Sequence, residues 1–214
     1  MRLVLPRLYV ILDAALLTQP ETQVARTLAD AGVRLLQYRN KSASARELLE
    51  KSRALAAELS SRQVTFIVND RPDVAVLAGA GGVHVGQDDL SVEAARRVVG
   101  DAALVGISTH NPAQFQSAAA TSADYIAIGP IFATSSKANP DPVVGIETLR
   151  EVRRLTEKPI VAIGGVTLER APEVLAAGAD SVAVISDILR AEDPADRARQ
   201  YIELLEGANH AAKA

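Results

Sequence analysis

The chain has 214 residues, 48% of them apolar but only 3% aromatic, and a formal net charge of −3. Its length suits one domain with a large core. The absence of cysteine excludes disulfides, thiolate nucleophiles and cysteine-based metal sites; no basic stretch offers a nucleic-acid footprint, and no apolar run reaches the roughly 18 residues of a membrane span.

Eight apolar, strand-like runs recur along the chain, and stretches of helical character fill the gaps between them. LYVILD from Leu8 precedes a helix expected over Pro20 to Ala31, with Gly32 as its stop. VRLLQYR from Val33 leads into Ser44 to Ser61, where Leu48, Leu55 and Leu59 recur at helical spacing. VTFIVND from Val64 precedes Asp73 to Ala78, GVHVGQ from Gly82 precedes Ser91 to Val99, and ALVGIS from Ala103 precedes Pro112 to Ala120. DYIAIG from Asp124, PIVAIG from Pro159 and DSVAVI from Asp180 precede helices expected over Glu147 to Thr156, Leu168 to Ala177 and Pro194 to Leu205. The turns AGV at Ala31, AGGV at Ala80 and AGAD at Ala177 each close a helix and open the next run.

This order predicts an α/β protein, a single (β/α)8 TIM barrel over 1–214 with 208–214 a frayed tail. A run poor in aromatics and rich in Val, Ile, Leu and Ala suits parallel strands buried on both faces. The rival, an open doubly wound sheet, wants a glycine-rich first turn, and the first turn here, LDAALLTQP, has no glycine. A barrel gathers the C-terminal strand ends on one rim, where the polar residues of this chain concentrate. PIFATSSKANPDPVV, between Gly129 and Gly145, is long for a βα loop and is expected to cover an active site. The lack of cysteine and of a signal-peptide pattern is compatible with a cytoplasmic protein, monomeric or homo-oligomeric.

Gln37, Arg39 and Lys41 alternate at the end of the second run, so period-two spacing puts them on one face and Tyr38 and Asn40 on the other. Two adjacent cations repel unless an anion lies between them; a diphosphate would fit, and plain surface charges at a strand end are the alternative. Asn69-Asp70-Arg71-Pro72 ends the third run and Gln87-Asp88-Asp89 follows the fourth. Each can be a helix-capping turn. Yet Asp70 and Asp89 top adjacent strands, and a carboxylate pair leaving room for water and phosphate oxygens suits Mg2+. Ser108 and His110 end the fifth run: Ser108 can donate to a phosphate, and His110 reads as a hydrogen-bonded structural histidine or a general acid or base. His84, inside a strand, reads as a core or helix-facing residue, and scattered histidines without cysteine make zinc a poor fit. Thr134, Ser135, Ser136 and Lys137 lie on the long loop, where the lysine can close over a leaving phosphate or simply be solvated. Gly164-Gly165 and Ile185-Ser186 end the last two runs, where barrels bind phosphate with backbone N–H groups and a short extra helix, here Ser186 to Arg190.

In order, QYRNK at Gln37, VNDR at Val68, GVHVGQDD at Gly82, GISTH at Gly106, GPIFATSSK at Gly129, AIGGV at Ala162 and VAVIS at Val182 resemble the thiamine phosphate synthase family over nearly the whole chain. The resemblance implies a (β/α)8 enzyme that joins hydroxymethylpyrimidine diphosphate to a thiazole phosphate, giving thiamine phosphate and diphosphate with Mg2+. It implies that Gln37, Arg39, Lys41, Asn69, Ser108 and Lys137 hold the pyrimidine diphosphate, that Tyr38 and Asn40 of the same motif also contact substrate, and that Asp70 and Asp89 are metal ligands. Thr134, Ser136, Gly165, Ile185 and Ser186 are then contacts to the thiazole phosphate, Ser135 is a further substrate contact, and Arg39, Lys41, Ser108 and Lys137 are the catalytic set. The loop departs from the family, which more often has Pro then Thr-x-Thr-Lys where this chain has Ala133-Thr134-Ser135-Ser136-Lys137. Two readings compete. A related thiazole tautomerase shares the barrel, uses a histidine at the position of His110 and tends to lack the acid at Asp89. A phosphate-binding protein without chemistry would have no use for the acid pair.

Overall fold

The structure, a computed structural model, describes residues 3–134 and 141–211. Eight parallel strands close into a barrel in sequence order: β1 (Leu8–Asp13), β2 (Leu35–Arg39), β3 (Thr65–Asn69), β4 (Gly82–Val85), β5 (Leu104–Thr109), β6 (Tyr125–Ile128), β7 (Ile160–Ile163) and β8 (Ser181–Val184). The helices between them are α1 (Glu21–Asp30), α2 (Ala45–Ser60), α3 (Pro72–Ala78), α4 (Val92–Val99), α5 (Pro112–Ala119), α6 (Gly145–Arg153) and α7 (Ala171–Ala176); α8 (Ser186–Leu189) and α9 (Pro194–Ala211) follow β8. Every predicted run is a strand, and α8 is the short extra helix expected beyond the eighth.

Closure follows from strands apolar on both faces. Their outward residues, among them Val10, Leu12, Leu36 and Val68, pack under helix residues such as Leu28, Leu55 and Leu59. The inward set is a separate cluster built almost wholly from strands, including Tyr9, Ile11, Leu35, Ile67 and Tyr125. Local signals set the helix starts: Ser44, Ser91 and Asn111 accept hydrogen bonds from the N–H groups three residues on, as N-caps do.

Three helices differ from expectation. Thr167 O accepts the N–H groups of both Arg170 and Ala171, so residues from Leu168 form a turn and α7 starts later than predicted. Helix α6 starts two residues earlier than predicted, at Gly145. Helix α9 continues past Leu205 to Ala211, because a single Gly207 followed by helix-compatible residues does not stop it. Among the described residues no helix is long and apolar enough to cross a membrane.

Candidate active site

Two adjoining cavities open at the C-terminal rim of the barrel and share Ser108, His110, Asp141, Ile163 and Ile185. The larger, about 530 Å3, is polar and lies over β2 to β5. The smaller, about 90 Å3, lies over β6 to β8 against Gly129, Gly164 and Gly165.

The odd positions of β2 and the residue beyond it reach the larger cavity. Gln37, Arg39 and Lys41 all line it. Neither cation faces the other bare. Arg39 donates from Nη1 to Asp13 Oδ2 at 2.5 Å, with Asp13 only 3% exposed at the end of β1. Lys41 donates from Nζ to Asp70. Sequence reasoning passed over Asp13; its one signal was an acid closing the apolar run LYVILD on the same rim.

Tyr38 and Asn40, expected to contact substrate, are not among the residues that line either cavity. Strand alternation turns Tyr38 outward, where it is fully buried and donates to Glu21 of α1 at 3.2 Å. Asn40 donates to Tyr38 Oη, and its Oδ1 accepts from the N–H groups of Ser42 and Ala43, closing the turn into α2.

Asp70 has φ 64°, a left-handed conformation that Asp tolerates better than most side chains and that clusters at functional sites. Its N–H donates to His84 O at 2.7 Å. Asp89 Oδ2 accepts the Gly86 N–H at 2.7 Å, and its charge acts on the neighbouring Asp70. Burial pushes the Asp70 carboxyl above its ordinary range; the like charge of Asp89 adds to this, while Lys41 opposes it. Two carboxylates thus stand near one another, with the Lys41 ammonium on Oδ2 of Asp70. Among the described residues no cluster of three or more His, Cys, Asp or Glu forms a cage. Two carboxylates without a third protein ligand are the donor set of a hard cation that keeps water and phosphate oxygens as its remaining ligands. Asn69 stands beside the pair in the same cavity.

Ser108 lines both cavities, and its Oγ is 2.8 Å from His84 Nε2. His84 is core, as expected, but it faces the barrel interior and not the helices. His110 Nδ1 lies 2.7 Å from Gly129 O and 3.5 Å from Asp141 Oδ2, so that nitrogen is anchored to the backbone. Thr134, Gly165, Ile185 and Ser186 line the smaller cavity. Gly165 has φ 62°, and a Cβ there would sit 2.4 Å from Ala133 O, so only glycine lets the two loops approach. Arg170 donates to Gly165 O at 3.1 Å and stacks on Phe132 at 4.6 Å, tying the same loops together. Neither residue was singled out in the sequence. Ser135, Ser136 and Lys137 lie outside the described residues.

A profile described as thiamine monophosphate synthase matches residues 8–188. The chain belongs to this family. It is 56% identical over 206 residues to the thiamine-phosphate synthase of Koribacter versatilis, covering 94% of this chain and 96% of that one. It is 41% identical over 208 residues to the synthase of Agrobacterium fabrum, covering 94% of each. Among solved structures, thiamine phosphate pyrophosphorylase from Pyrococcus furiosus superposes with a TM-score of 0.86 at 32% identity, covering 95% of this chain and 96% of that one. A 3-hexulose-6-phosphate synthase from Salmonella typhimurium, at 21% identity and a TM-score of 0.73, shares the fold. Membership of the family accounts for the ordered motifs.

Proposed function

We propose that this chain is a thiamine phosphate synthase, a transferase that joins 4-amino-2-methyl-5-hydroxymethylpyrimidine diphosphate to a thiazole phosphate and releases diphosphate. The observation that carries this reading is the pairing of two cavities on one rim, one holding Arg39, Lys41 and the Asp70–Asp89 pair, the other opening on Gly165 and Ser186. Diphosphate in the first and the thiazole phosphate in the second bring the pyrimidine methylene carbon and the thiazole nitrogen together near Ser108, the polar side chain of β5 common to both.

The bond between the pyrimidine methylene and the diphosphate oxygen breaks first, its electron pair leaving on oxygen. The electron-rich aminopyrimidine stabilises the methylene cation, and the thiazole nitrogen then supplies the pair for the new C–N bond. No enzyme base is required for bond formation. Arg39 and Lys41 receive the charge developing on the diphosphate, joined by Lys137 as the family resemblance implies, while the apolar wall of Ile163 and Ile185 keeps water from the cation. Asp70 and Asp89 would hold Mg2+, which supplies charge neutralisation on the departing oxygens. On binding diphosphate, Lys41 exchanges a carboxylate partner for a phosphate one.

The tautomerase reading needs a histidine that can shuttle protons, and His110, anchored at Nδ1 by Gly129 O, keeps Nε2 for that use. What favours the synthase is the acid at Asp89, which such enzymes tend to lack. Incubating the purified chain with Mg2+ and both phosphorylated substrates, then oxidising the product to its fluorescent form, tests the proposal. Thiamine phosphate should appear only when both substrates are present; proton exchange on the thiazole phosphate alone, without condensation, would establish the isomerase instead.

A further inference from the structure

Below the larger cavity runs a continuous chain of polar atoms that the substitution chemistry leaves unused. Gln37 Nε2 donates to Tyr9 Oη at 2.8 Å, and Tyr9 Oη lies 3.0 Å from Tyr125 Oη. Tyr125 Oη lies 3.1 Å from His84 Nδ1, and His84 Nε2 is 2.8 Å from Ser108 Oγ. The imidazole also stacks on the Tyr125 ring at 5.5 Å, which fixes its plane. The ends, Gln37 and Ser108, line the cavity, whereas Tyr9 and Tyr125 are sealed inside the barrel. Burial raises both phenols well above their ordinary range, so each keeps its single proton and donates once.

A one-proton rule makes such a chain directional. Tyr9 receives the Gln37 N–H, so its own proton goes to Tyr125. Tyr125 in turn gives its proton to Nδ1 of His84. A neutral imidazole that accepts at Nδ1 carries its hydrogen on Nε2 and donates it to Ser108 Oγ. The Ser108 proton is then left for the cavity, and so is the Gln37 carbonyl oxygen. Turning the Gln37 amide over reverses every bond: Ser108 would donate to Nε2 and keep only lone pairs for a ligand, while Gln37 would present its N–H. Two residues on different strands therefore switch their hydrogen-bonding sense together or not at all.

We propose that His84, held as the Nε2–H tautomer by Tyr9 and Tyr125, is a positioning residue that fixes the cavity with an acceptor at Gln37 and a donor at Ser108, and so selects a heterocycle bearing an amine beside a ring-nitrogen acceptor. The identity of that heterocycle as an aminopyrimidine rests on the proposed function; the relay itself does not.

Nitrogen-15 NMR of the full chain with labelled histidine, without substrate, reads the tautomer directly. With three histidines in the chain, the His84 signals are those lost in His84→Gln. The expected spectrum is a neutral ring protonated at Nε2; an Nδ1–H or doubly protonated ring overturns the proposal. Tyr9→Phe leaves the Tyr125 contact to Nδ1 in place but frees its direction, so it should mix the two tautomers. It should also weaken pyrimidine diphosphate binding, read by calorimetry, by roughly tenfold, with affinity for the thiazole phosphate unchanged. A single retained tautomer in Tyr9→Phe, or equal loss of both affinities, refutes the coupling. An Nε2–H tautomer in a parent chain that binds no pyrimidine diphosphate would support the relay and overturn the functional reading.

Discussion

Substituting Asp89→Asn separates a metal ligand from a mere helix-capping residue, because the two roles give opposite signs. The amide oxygen of Asn can still accept the Gly86 N–H that Asp89 Oδ2 accepts at 2.7 Å, so the loop after β4 keeps its anchor. What disappears is one negative charge beside Asp70. Burial and Asp89 hold the Asp70 carboxyl above its ordinary range; a carboxyl raised on folding contributes stability that is present below the unfolded value, about 3.9, and is lost as pH rises through the folded value. Removing the like charge lowers that folded value, so the metal-free variant should equal or exceed its parent in urea unfolding. The advantage, on the order of 1 kcal/mol, should grow as pH rises from about 4 to 7. Turnover should move the other way. Losing one charged contact that acts on the leaving group costs about 3 kcal/mol in the transition state, on the order of a hundredfold in rate. Steady-state turnover across a Mg2+ titration and urea unfolding at both pH values complete the comparison. A variant less stable than its parent that turns over normally at low Mg2+ would make Asp89 a cap and nothing more.

Other expectations are more local. A Cβ at Gly106 would lie 2.1 Å from Tyr125 Cζ and 2.4 Å from its hydroxyl, so Gly106→Ala must displace that ring and break its bonds to Tyr9 and His84. Urea unfolding should show a loss of about 3–5 kcal/mol, partly recovered in a Tyr125→Leu background. Asp13→Ala leaves Arg39 without its buried carboxylate; stability should fall by about 2 kcal/mol, less than for a fully buried pair because the guanidinium keeps 21% exposure, and KM for the pyrimidine diphosphate should rise. Tyr38→Phe removes the hydroxyl that bonds Glu21 and Asn40, so unfolding measurements should register about 1 kcal/mol while KM and turnover stay at parent values.

The barrel was legible because its signal is repeated: eight runs, each apolar on both faces, leave few other ways to bury them. The rim was legible by parity, since every second residue at a strand end faces one way, which placed Gln37, Arg39 and Lys41 together. The same parity put Tyr38 and Asn40 on the opposite face, and the structure follows alternation over the contiguous motif that had drawn them into the site. Asp13 escaped because a single acid ending an apolar run looks like any strand terminus until its partner across the β1–β2 register, Arg39, is seen. The Tyr9–Tyr125–His84 chain was invisible for a related reason. Two tyrosines and a histidine inside apolar runs read as core, and only barrel closure brings β1, β4 and β6 within hydrogen-bonding distance across the lumen.

The pre-paired cations at the mouth have a consequence for traffic through it. Arg39 and Lys41 are each already met by an acid, and Asp89 adds a third carboxylate, so the empty entrance is slightly repulsive to a naked polyanion. An anion that comes alone has to displace a carboxylate from each cation before it is held, whereas one that carries positive charge of its own can be met by the acids as well as by the cations. The same pairing acts in reverse: with the anion gone, Lys41 has Asp70 within reach as its replacement partner.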